Sequence, residues 1–151
     1  MFSKRLGRKP AIQILSGLVL VFCFRVGAQF LQSFGSFDFL PSFSEWHSGS
    51  IPYLWLFLSQ VIIIFFTVTI IFKLHRNTYK CDLKKAKVLL FIGWLYFIFM
   101  WARFLLSMTL MQSHPWFGAT LPAVFHMVLA SFLIVLGWYE SGHVASRNDQ
   151  L

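Results

Sequence analysis

Four long apolar runs, 11–31, 52–72, 88–110 and 121–139, constrain this 151-residue chain more than any other feature. Each is close to the roughly 20 residues a helix needs to cross about 30 Å of hydrocarbon. None alternates with period two, and a bilayer admits only helices or closed barrels. The runs therefore predict an all-α, polytopic membrane protein. Its expected fold is a four-transmembrane-helix bundle, a single integral membrane domain over 1–151. Composition removes the competing classes. The chain is 58% hydrophobic and 12% charged, against roughly 25% charged in an average soluble domain. A 17.6 kDa globule cannot hide that much apolar surface. Disordered and disulfide-stapled secreted chains have the opposite composition.

Local signals agree with these spans. Pro10, Pro52 and Pro122 fall where a first helical turn tolerates a missing N–H. Ser50 and Thr120 are placed to act as N-caps, and Gly137 and Gly142 mark the end of the last helix. The first run follows Lys4-Arg5 and Arg8-Lys9, as in a signal peptide. It is too long for one, contains Arg25 and lacks a small-x-small cleavage site, so it reads as a retained helix.

Charge sets the orientation. Eleven basic residues lie outside the spans: Lys4, Arg5, Arg8, Lys9, Lys73, Arg76, Lys80, Lys84, Lys85, Lys87 and Arg147. The 32–51 and 111–120 loops hold none. The positive-inside rule predicts a multi-pass protein of the plasma (inner) membrane, with both termini and the 73–87 loop cytoplasmic. The net charge of +8 follows from that topology and from attraction to anionic lipid. The bilayer is the expected partner, and nucleic acid is not. Cys23 lies in a span and Cys81 in the basic loop, so they do not pair. No C-x-x-C, Walker motif, H-E-x-x-H or G-x-S-x-G occurs, and no metal site is expected.

The Gln32–Ser50 loop carries Phe34, Phe37, Phe39, Leu40, Phe43 and Trp46. It is too apolar for a solvated linker and reads as an aromatic interfacial outer loop. Ser42-Phe43-Ser44-Glu45 has capping-box spacing.

The informative residues are polar ones inside the spans: Arg25, Gln60, Arg103 and His126. Counted from the outer helix ends at 1.5 Å per residue, all four lie about 8–12 Å deep. They come from four different spans and share one layer in the outer half. The inner half shows no ionisable side chain at comparable depth. Gln29 sits one turn from Arg25 on the same face, and Tyr96, Met100, Arg103 and Ser107 share a face of the third span. An arginine in hydrocarbon costs at least a few kcal/mol and usually faces the bundle interior. The alternatives are snorkelling to outer phosphates and structural ion pairs with the acids of the outer loops. The candidate ligand-binding set is thus Arg25, Gln29, Gln60, Arg103 and His126. Asp38, Glu45, His47 and His114 in the outer loops would cap it.

Three function classes fit. In the first, the site binds, and in one version acts on, a lipid-phase ligand with an anionic or carbonyl group. Lipid phosphate, isoprenoid phosphate and quinone fit the forked guanidinium chemistry equally. No nucleophile is identifiable, and His126 is the candidate acid/base, so enzyme and binding protein both stay open. In the second, the chain is an accessory subunit or assembly factor of a larger membrane complex, or a homo-oligomer. In the third, it binds haem b, with His126 as axial ligand and arginines on the propionates. A second axial histidine would then have to come from His47, His114 or a partner chain.

Overall fold

The computed structural model describes residues 6–35, 52–109 and 120–148. They form four helices: α1 (Arg8–Phe34), α2 (Tyr53–His75), α3 (Leu83–Thr109) and α4 (Thr120–Asn148). Among the described residues there is no strand. All four are long and apolar enough to cross a membrane. The fold is an all-α four-helix bundle, and the protein is a multi-pass membrane protein.

The helix ends refine the sequence reading. Pro10 lies in the first turn of α1, where its missing N–H costs nothing. Pro52 precedes α2 instead of opening it, and its carbonyl accepts the Trp55 N–H at 3.1 Å. α2 closes with a Schellman arrangement: Thr78 N–H bonds to Lys73 O at 3.0 Å and Asn77 N–H to Leu74 O at 3.2 Å. Asn77 takes the left-handed conformation, φ 58°, which asparagine tolerates better than most residues. α3 starts at Leu83, ahead of the expected Val88, because Asp82 caps it. The Asp82 carboxylate accepts the Lys84 N–H at 2.9 Å and its carbonyl accepts the Ala86 N–H at 2.9 Å. Thr120 is already helical, and Ser50 lies outside the described residues. α4 runs through Gly137 and Gly142 to Asn148, so neither glycine ends it.

The helices alternate in direction. Ala11 and Leu15 from the start of α1 share one apolar cluster with Leu74 at the end of α2. Phe132, Leu136 and Tyr139 of α4 complete that cluster. These groups define the basic end of the bundle, since Arg8, Lys9, Lys73, Lys84 and Lys85 flank it. The backbones of α3 and α4 run close along their lengths, α1 packs on α4, and α2 comes close in backbone only to α1.

Lipid tails are as apolar as leucine, so helices in a bilayer associate through close packing rather than burial from water. The α3–α4 contact shows this. A Cβ on Gly93 of α3 would lie 2.8 Å from Ile134 Cγ1 and 3.1 Å from Ile134 N. A Cβ on Gly137 of α4 would lie 2.9 Å from Leu90 Cγ and 3.2 Å from Ala86 O. Each glycine receives the other helix's backbone. The surfaces left outside are apolar, including Phe65, Phe66, Phe91, Leu95 and Ile98.

Candidate functional site, a buried polar layer

At the end of the bundle opposite the basic one, the polar residues of all four helices turn inward. On α2 the buried residues are Gln60, Thr67 and Leu74, spaced by seven. On α3 they include Met100, Arg103 and Ser107. These stripes arise because a residue that must avoid lipid selects the helix rotation that hides it. Arg25 is 4% exposed, Arg103 5%, Gln29 0% and Gln60 3%. Both guanidiniums therefore sit inside the bundle. His126 is half-buried.

The layer has two joined parts. Between α1 and α2, Gln60 Nε2 donates to Gln29 Oε1 at 3.2 Å. Phe30 stacks on Phe57 beside this pair, with ring centroids 5.1 Å apart. Between α3 and α4, the Tyr96 hydroxyl and His126 Nδ1 are 2.7 Å apart. Either the phenol donates and the ring keeps its proton on Nε2, or the ring donates to the phenol oxygen. Arg25 links the halves: its guanidinium carbon lies 5.2 Å from the centroid of the Phe125 ring of α4. Tyr96 and His126 are each within electrostatic reach of both Arg25 and Arg103.

Buried polar groups nearly always find partners. Here the Arg25 Nε–H, the Gln29 Nε2 amide and the Gln60 Oε1 oxygen are buried with no hydrogen-bond partner. The described carboxylates, Asp82 and Glu140, both lie at the other end of the bundle. The arrangement thus offers a buried guanidinium and an amide donor from α1, an acceptor from α2, a second buried guanidinium from α3 and a phenol–imidazole pair. That set can grip an oxyanion or a carbonyl oxygen.

All five expected ligand-binding residues lie in this layer. Asp38, Glu45, His47 and His114, and nearly all of the aromatic outer loop, fall outside the described residues. Tyr96 was visible by its seven-residue spacing from Arg103, yet it was absent from the expected ligand set. Tyrosine serves equally well as an interface anchor, so its type alone carried no signal.

A second polar cluster lies at the basic end, against the α2–α3 connection. Glu140 is 0% exposed and accepts a short hydrogen bond from the Tyr79 hydroxyl. Its other oxygen faces the Asp82 N–H at 3.5 Å. Burial, then the bond to Glu140, push the Tyr79 phenol pKa well up. Burial, then the Glu140 charge, raise that of the Cys81 thiol. The expected span stopped at Tyr139, one residue short of the buried acid. The long α4 carries Glu140 under the α2–α3 connection and locks that connection down.

No protein family matches this chain, and neither a characterised protein nor a solved structure is significantly similar to it.

Proposed function

We propose that the polar layer binds a lipid-phase ligand through an anionic or carbonyl group, in the outer half of a plasma membrane. Lipid phosphate, isoprenoid phosphate and quinone oxygen share the recognising chemistry. One observation carries this reading: the Arg25 guanidinium and the Gln29 amide are buried one turn apart on α1, and the Arg25 Nε–H and the Gln29 Nε2 have no hydrogen-bond partner. Leaving such groups unmade costs about 1–3 kcal/mol each, more when charged. A ligand oxygen supplies the missing acceptor. Arg25 and Arg103 hold the group by charge and fork geometry, Gln29 adds a donor and Gln60 fixes Gln29. Tyr96 and His126 form a hydrogen-bonded phenol–imidazole pair in this layer, and it is the pair placed to exchange a proton with the ligand. The eleven-to-none basic asymmetry orients the site outward, with both termini cytoplasmic.

The test is extraction of gently purified protein, analysed by mass spectrometry after an absorption spectrum. A phosphate-bearing lipid or a quinone should co-purify and fall about tenfold or more in Arg25→Ala. A Soret band would replace this reading with haem b ligation by His126. Stoichiometric protein partners with no small molecule would replace it with the accessory-subunit role.

A further inference from the structure

At the basic end, α2 and α3 are joined by a short connection, yet their backbones do not come close. Between them opens a cleft of about 390 Å³, within the usual range for small-molecule sites, about 300–1,000 Å³. Most of its lining is apolar: Ile70 of α2, Val88 and Leu89 of α3, and Leu136 of α4, with Leu136 buried and Val88 exposed. Its rim carries Lys84 and Lys85, both exposed. Tyr79 and Glu140 form the end wall. The Glu140 carboxylate is already engaged by the Tyr79 hydroxyl and faces the Asp82 N–H, and it is fully buried. The charge that the rim presents outward is therefore positive.

We propose that this cleft is a binding site for an anionic phospholipid of the leaflet at the basic end. Its phosphate rests on Lys84 and Lys85, and the first part of an acyl chain lies along Ile70, Val88 and Leu89. Three features select this occupant. The cleft lies at the level where apolar helix gives way to basic connection, which is where headgroup meets acyl chain in a bilayer. Along α3 its lining passes from Lys84 and Lys85 to Val88 and Leu89, charged then apolar, in the same order as a lipid. Its charge is opposite to that of an anionic headgroup, and each basic residue near such a surface adds about fivefold in affinity. The site is separate from the outer polar layer and stands without it.

Native mass spectrometry of the purified full chain tests the assignment, with phosphatidylglycerol and phosphatidylcholine as probes. Phosphatidylglycerol should remain bound in preference to phosphatidylcholine. Lys84→Gln/Lys85→Gln should weaken that preference by about tenfold or more. Lys80→Gln/Lys87→Gln removes the same charge from residues that do not line the cleft and should leave most of it. Val88→Trp keeps both lysines, sets a bulky ring on the apolar lining from an exposed position and should displace the lipid. Equal losses in the two lysine pairs would mean diffuse attraction to the surface and overturn the site. Full binding by Val88→Trp would place the lipid outside the cleft and also overturn it. So would equal retention of both lipids by the wild type, the result expected if a helix of another protein fills the cleft instead. None of these comparisons reads the ligand held at Arg25, so the two sites fail separately.

Discussion

At the scale of single residues, the useful contrast is between a guanidinium that is buried for a purpose and one that merely reaches for headgroups. Arg25→Lys should lower ligand retention nearly as far as Arg25→Ala, because an ammonium cannot reproduce the planar fork. A snorkelling arginine would tolerate lysine with little change. Retention measured against thermal stability in the same variants separates these outcomes. Full retention at wild-type stability in Arg25→Lys would end the site reading. A second residue-scale prediction concerns Cys81. Its thiol is raised by burial first and by the Glu140 charge second, so the reactive thiolate is scarce near neutral pH. Glu140→Gln removes the second cause, lowers the thiol pKa and should speed maleimide labelling at about pH 8. Because burial remains, labelling should stay slower than for an exposed cysteine. An unchanged rate across a pH series would show that the Glu140 charge does not reach the sulfur. Arg25, Gln60, Arg103 and His126 were legible in the sequence because lipid makes each of them costly and therefore conspicuous. Glu140 was not, because it directly follows the last apolar residue and looks like the beginning of a solvated tail. Only the α2–α3 connection folding over it reveals its burial.

At the scale of helices, two glycines set the α3–α4 distance. Gly137→Ala would gain about 1 kcal/mol of helix propensity. It would also push a Cβ to 3.1 Å from Leu90 N and 3.2 Å from Ala86 O, backbone atoms that cannot turn aside. Overpacking should win, with a net loss of about 1–3 kcal/mol in unfolding assays in detergent. Gly93→Ala should behave alike. Gly142→Ala is the control, since nothing lies within 4 Å of the added methyl, and it should be neutral or slightly stabilising. Equal effects at Gly137 and Gly142 would mean the helices do not meet where the glycines place them. Helix existence was readable from the apolar runs, which a bilayer requires. Helix ends were less so. Asp82 begins α3 through a carboxylate bond to Lys84, but an acid among lysines reads as one more charge of a polar loop. Gly137 was read as a terminator because glycine favours helix ends, while here its lack of a side chain serves a neighbour.

At the scale of the whole molecule, topology yields the broadest prediction. Lys80→Cys, made in a background lacking Cys23 and Cys81, places an exposed thiol in the basic connection. An impermeant maleimide should label it only after the membrane is opened. Labelling in intact cells would invert the orientation proposed from the basic asymmetry. The order in which the helices pack could not be read from four apolar stripes, since several arrangements hide the same polar faces. The structure gives that order as α2 on α1, α1 on α4 and α4 on α3. Its consequence is mechanical. α2 has one backbone neighbour, so its angle to α1 is geometry that both of its ends share. Gln60 bonds Gln29 toward one end, and Ile70 lines the cleft toward the other. To whatever extent an occupant of either end favours one angle, it must change the affinity at the far end. Thermodynamic reciprocity makes that factor identical in both directions, so two ligands that never touch would be linked through a single helix.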